Sequence, residues 1–121
     1  MSEQKDFATI GDIRIADDVI AAIAAIAISE IDGVFLYPSI SPADFRELIG
    51  KNRLGRGIKV RFSEEGVTLD LQIQVRYGVV VADAAKIVQD AVANAVESMT
   101  ALHVTGVNVS VVGVSPDAAA K

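Results

Sequence analysis

Alternation of apolar and polar residues with a period of two predicts four strands along the chain. In the third of them the apolar set runs from Val67 to Tyr77. The run Glu64-Glu65-Gly66 before it has the length and the glycine of a hairpin loop, which makes the second and third strands antiparallel. The four predicted strands are residues 9–15, 57–63, 67–77 and 107–111.

Two further segments follow helical periodicity. Residues 19–31 come after Asp17 and Asp18, whose carboxylates favour the positive N-terminal end of a helix, and Gly33 suits the left-handed conformation that closes many helices. This first helix is apolar on nearly every face, so we expect one face to remain for another molecule after folding. The second helix, residues 83–100, is conventionally amphipathic.

The order β-α-β-β-α-β predicts an α/β chain of the two-layer α+β kind, with two helices on one face of a mixed sheet. We predict a single domain over residues 1–121, with its core at about 9–114 and flexible ends at 1–8 and 115–121. The other face of the sheet is polar, and no element of this chain is expected to cover it.

Composition narrows the classes of function. The chain of 121 residues is 51% hydrophobic and has 11 Lys+Arg against 16 Asp+Glu, and its formal net charge of -5 argues against nucleic acid as a partner. Cysteine is absent, which excludes disulfides, thiolate metal sites and a thiol nucleophile. The longest apolar run, residues 19–28, is half of the roughly 20 residues that span a membrane, and no secretory signal precedes it. We therefore expect a cytoplasmic protein that reaches a membrane only through a partner.

The sequence contains no recognisable catalytic, metal-binding or phosphate-binding motif. His103 is the only histidine, and a lone histidine before a strand is more often a solvated loop residue than a catalytic base. Asp17 and Asp18, with Asp12 nearby, lack the spacing of metal ligands. The run Gly50-Lys51-Asn52 lacks both the first glycine and the hydroxyl residue of a P-loop. We predict no enzyme activity, no catalytic residue, no cofactor and no metal.

The basic segment, residues 51–61, is the strongest indication of a binding site outside the predicted core. It contains five of the 11 cations with no acid among them, and we take it as the candidate partner-binding segment for an acidic protein surface, anionic headgroups or RNA. A solvated loop and strand face is the alternative. In a further alternative, the acidic first 32 residues of one copy dock on the basic segment of another, head to tail. The five cations are Lys51, Arg53, Arg56, Lys59 and Arg61.

Several short sequence motifs follow one another in a specific order between residues 9 and 114. They are residues 11–20, Glu30-Ile31-Asp32-Gly33-Val34, Gly57-Ile58-Lys59-Val60, Val75-Arg76-Tyr77-Gly78-Val79, and residues 96–102 and 107–111. In this order and spacing the chain resembles the bacterial alkaline shock or envelope stress response family, whose members are also called general stress proteins. Ala101 stands where that pattern commonly has glycine before the leucine.

The resemblance implies an abundant, non-enzymatic cytosolic protein that is linked to envelope or alkaline stress. It also implies a homo-oligomer and tethering by a separate small membrane-anchor protein, while some relatives are tied to lipid-synthesis homeostasis. The resemblance implies no catalytic or cofactor-binding motif, and it does not imply a function for the basic segment. The leading hypothesis is a self-associating scaffold docked on a partner near the cytoplasmic membrane. The alternative is a small regulatory module that binds an acidic protein or nucleic acid through residues 51–61.

Overall fold

A computed structural model describes residues 7–10, 13–37 and 57–115 of the chain. Within these ranges the chain forms six strands and two helices, in the α+β class that the sequence predicts. Their bounds are β1 (Phe7–Ile10), β2 (Ile13–Ala16), α1 (Asp17–Ser29), β3 (Val34–Leu36), β4 (Ile58–Ser63), β5 (Gly66–Arg76), α2 (Val81–Thr100) and β6 (Val104–Ser115).

The main sheet is organised around β5. Strand β6 runs parallel to β5 along one edge, and β4 and β3 run antiparallel to it along the other. Ile58 of β4 pairs with Leu71, and Leu36 of β3 pairs with Ile73, so β3 and β4 lie end to end on the same edge of β5. The sheet is therefore mixed, as the sequence predicts.

The prediction of a single first strand over residues 9–15 is wrong. Strands β1 and β2 pair with each other as an antiparallel hairpin in a separate two-stranded sheet, with Ile10 opposite Ile13. The two residues between them in the sequence are Gly11 and Asp12, a pair that favours two-residue hairpin turns. Glycine followed by aspartate inside the apparent strand was therefore a turn signal.

The last strand is longer than predicted. It begins at Val104 and ends at Ser115, so Ser115 belongs to the sheet and not to a flexible end. The reason is that β6 follows β5 to its last residue, where Arg76 pairs with Ser115. Residues 1–6 and 116–121, also predicted to be flexible, lie outside the described residues.

The core lies between the two helices and one face of the sheet. The inward side chains of β5 are at most 1% exposed, and burial of each contributes about 1.5–3 kcal/mol of transfer free energy. The helices contact each other, α1 contacts β3 and β4, and α2 contacts β6, so both helices cover the same face. The fully buried residues of this layer include Ile20, Ile28, Val67, Leu69, Leu71, Ile73, Val75, Val88, Val92 and Val96.

The predicted β4–β5 hairpin is present, and Gly66 is required in it. Ser63 pairs with Gly66 across the turn, and the Val67 N–H donates to the His103 carbonyl at 2.9 Å. Gly66 has a φ of 145°, and a Cβ at this position would collide with that same His103 carbonyl. The start of β5 therefore approaches the chain before β6 too closely for any side chain.

Candidate interaction surfaces

The basic segment is only partly within the described residues. Lys51, Arg53 and Arg56 lie outside them, whereas Lys59 and Arg61 lie on β4, exposed on the open face of the sheet.

Arg61 already has an intramolecular partner. Its guanidinium Nε and Nη2 donate to the two carboxylate oxygens of Asp70 on β5, at 3.1 Å and 3.0 Å. Asn108 on β6 donates to Asp70 Oδ1 at 2.8 Å. The hydrogen bonds from Asn108 and Arg61 hold the pKa of Asp70 below its ordinary value. The Asp70 carboxylate thus neutralises most of the charge of Arg61. Asp70 also lies opposite Lys59 in the register, so Lys59 has a carboxylate nearby although the basic segment itself contains no acid.

Helix α1 leaves an apolar stripe on its outer side, as its sequence predicts. Val19 and Ile26 are 48% and 46% exposed, and Ala22 between them is half-buried. Positions three, four and seven residues apart lie on one face of a helix, so these three side chains form a continuous surface, here called the outer stripe.

A second apolar surface lies where β5 and β6 end and α2 begins. Tyr77 is 76% exposed, Val80 61%, and Val81 and Val114 are also exposed. The Tyr77 N–H donates to the Ser115 carbonyl at 2.9 Å, which holds the ends of the two strands together. These four residues, Tyr77, Val80, Val81 and Val114, are here called the apolar end.

Tyr77 lies outside the core, contrary to the alternation in the sequence. The alternation of β5 puts it on the inward side, but the strand ends at Arg76 and the chain turns before α2 begins. The glycine that follows, at position 78, was the available signal that the strand stops there.

Two of the motifs that carry the family resemblance meet beside the apolar end. The Arg76 guanidinium donates to both carboxylate oxygens of Asp32, at 2.9 Å and 3.3 Å, and the Arg76 N–H donates to the Gly33 carbonyl at 2.8 Å. Hydrogen bonding to Arg76 lowers the pKa of Asp32. Gly33 has a φ of 83°, and a Cβ there would approach the Val79 side chain to 3.1 Å. The α1–β3 turn and the β5–α2 turn are therefore joined by a backbone hydrogen bond, an ion pair and close packing of Gly33 against Val79.

His103 lies in the connection before β6. Its side chain is 70% exposed, and its Nδ1 lies 3.4 Å from Glu97 Oε2 on α2. Asp17 and Asp18 occupy the first turn of α1, where their charges favour the helix dipole as predicted. In the described ranges, no three His, Cys, Asp or Glu side chains are grouped so that they could hold a metal ion.

Comparisons with known proteins agree with the resemblance. The uncharacterized protein YqhY of Bacillus subtilis is 34% identical over 112 residues, which cover 93% of this chain and 83% of YqhY. Spy1535 of Streptococcus pyogenes is 32% identical over 106 residues, covering 87% of this chain and 80% of Spy1535. YloU of Bacillus subtilis is 32% identical over 106 residues, covering 86% of this chain and 88% of YloU. No solved structure shows a significant match.

Neither described helix is long and apolar enough to cross a membrane. The sequence profile of the alkaline shock protein 23 family, described as having a cell envelope-related function, matches residues 5–116. The match extends over nearly the whole chain and includes both of the turns that Arg76 joins. This chain therefore belongs to the alkaline shock protein 23 family and has the cell envelope-related function of that family.

Proposed function

We propose that this chain is a non-enzymatic cytoplasmic scaffold that associates with copies of itself and docks on a partner protein near the cytoplasmic membrane. A small membrane-anchor protein is the kind of partner that the family resemblance suggests. The observation that carries the proposal is the presence of two separate apolar surfaces, the outer stripe and the apolar end. A scaffold needs at least two contact surfaces, one for its own kind and one for its partner.

Physical chemistry supports an interaction role for both surfaces. Exposed aliphatic and aromatic side chains that gather in one place lower the solubility of a monomer and are typical of contact sites. Tyrosine is especially enriched at interfaces, because its ring buries a large area while its hydroxyl stays hydrated. The charged residues near the apolar end, Arg76 and Asp32, neutralise each other and impose little charge on that contact.

Docking is tested by separating membrane and soluble fractions of cells that express the tagged full-length chain. The variant carries Val19→Lys and Ile26→Lys, which place two charges on the outer stripe. Its matched control carries two lysines on the exposed polar side of α2, at Asn94 and Ser98. We expect the wild type and the control in the membrane fraction and the stripe variant in the soluble fraction. A wild type that stays soluble, or a stripe variant that stays with membranes, contradicts the docking role of α1.

The regulatory-module alternative makes a different prediction. If Lys59 and the basic residues before it bind RNA, the full-length chain should shift an RNA probe at low salt, and the binding should weaken steeply as salt rises. The engagement of Arg61 by Asp70 is a reason to prefer the scaffold.

A further inference from the structure

We propose that the outer edge of β6 pairs with β6 of a second copy of this chain, antiparallel, so that the two sheets become one. This inference rests on the self-association in the proposed function and names the surface that produces it. It places the self-contact along β6, which includes Val114 of the apolar end, and leaves the outer stripe of α1 available for the partner.

The direction of the backbone groups of β6 follows from one contact. Gln89 on α2 donates from Nε2 to the Val107 carbonyl at 3.0 Å, and this carbonyl points away from β5. Backbone groups alternate in direction along a strand, so those of Val109 and Val111 point the same way, to the outer side of β6. A register shift between Val111 and Gly113 reverses this alternation, so the Ser115 carbonyl, which accepts from Tyr77, points toward β5.

Helix α2 covers only the first part of this edge. Glu97 accepts a hydrogen bond from the Val104 N–H at 2.9 Å, and Gln89 occupies the Val107 carbonyl. Beyond Val107, the only strand that pairs with β6 in the described part of the chain is β5. Within the described ranges, the outward backbone groups of Val109 and Val111, which precede the register shift, therefore have no strand partner.

This edge carries one of the usual safeguards against pairing, a register shift between Val111 and Gly113, but lacks the others. Edge strands in monomeric proteins are commonly protected by charged residues, proline or shortness. Strand β6 is 12 residues long, contains neither a charged residue nor proline, and has six valines. Val112 and Val114 on its second half are exposed, so pairing would also cover apolar side chains.

The composition of the edge selects a second β6 as its occupant. An antiparallel pair of identical strands is related by a two-fold axis, and β6 matches itself in length and meets no like charge there. The opposite edge of the sheet fits less well, because it is divided between β3 with three residues and β4 with six, and β4 has Lys59 and Arg61. A β6–β6 pair gives a closed dimer with one continuous sheet.

Ser110→Lys is the variant that tests this pairing. Ser110 is exposed on the open face of β6, so lysine there leaves the core intact but puts like charges beside each other across the new ladder. Gln72→Lys is the matched control, because Gln72 is exposed on the same face and pairs with Ser110, but lies one strand further from the proposed contact. By sedimentation velocity of the full-length chain, we expect Ser110→Lys to raise the dimerisation midpoint about three- to fivefold and Gln72→Lys to change it less than about twofold.

Amide hydrogen exchange supplies a second, independent readout. Upon dimerisation, the Val109 and Val111 amides should become protected, whereas the amides of Asn108 and Ser110, which point to β5, should be protected at all concentrations. A concentration-dependent change that alternates along the strand supports the pairing.

The outcomes separate this inference from the proposed function. If the wild type assembles but Ser110→Lys assembles equally well and the Val109 and Val111 amides stay unprotected, the β6 contact is wrong while the scaffold stands. Loss of assembly in the stripe variant with Ser110→Lys unaffected would also overturn it, in favour of α1. If the wild type remains monomeric at every concentration, self-association itself fails.

Discussion

Ala101 closes α2 in a conformation that alanine adopts only at a cost. Its φ of 64° lies in the left-handed region, and its N–H donates to the Glu97 carbonyl at 3.0 Å as the cap of the helix. The left-handed conformation costs a residue with a Cβ about 1–2 kcal/mol, and glycine avoids that cost. Glycine in turn loses about 0.5–1 kcal/mol more backbone entropy on folding. Ala101→Gly should therefore raise the free energy of unfolding by about 0.5–1 kcal/mol.

Urea unfolding monitored by far-UV circular dichroism measures this change at one fixed, low protein concentration. The matched control is Ala95→Gly in the interior of α2, where the helical conformation gives glycine no advantage and the loss should be about 1 kcal/mol. The two substitutions are chemically identical and are predicted to have opposite signs. If Ala101→Gly is no more stable than the wild type, the assignment of a conformational cost to alanine in the left-handed cap is incorrect.

Three further predictions concern the fold. Leu71→Ala should lower the free energy of unfolding by about 2–5 kcal/mol in the same urea experiment, because Leu71 is 1% exposed in the core, and a loss below that range would contradict its packing. Gly66→Ala should cost about 2–4 kcal/mol, since its Cβ would displace the His103 carbonyl; a melting temperature equal to that of the wild type would refute the contact. The lowered pKa values of Asp32 and Asp70 mean that the folded chain binds fewer protons, so their stabilisation is complete above their ordinary pKa of 3.8 and is lost as the pH falls below it. Asp32→Asn combined with Asp70→Asn should flatten that acid limb of melting temperature against pH, and an unchanged limb would exclude these two groups.

Local patterns were sufficient for much of the fold. The alternation in β5 predicted its buried face, because a central strand with one covered side must place every second side chain in the core. The same reasoning found the β4–β5 hairpin and both helices, and the excess of apolar residues around α1 predicted that one of its sides would stay exposed.

Long-range contacts were not predictable in this way. Strand β3 has only three residues, too few to show a period, and its place beside β5 depends on pairing with residues about 40 positions later. The Arg76–Asp32 ion pair joins residues 44 positions apart. The alternation extends the apolar set to Tyr77 because periodicity does not reveal where a strand ends. The parallel pairing of β6 with β5, and the edge that it leaves open, likewise appear only in the folded chain.

Sedimentation velocity of the wild-type full-length chain, from about one to several hundred micromolar, tests the scaffold most directly. A self-associating scaffold has a weight-average mass that rises with concentration from the monomer value of 12.7 kDa to at least twice that mass. A mass that stays at 12.7 kDa over the whole range would contradict it.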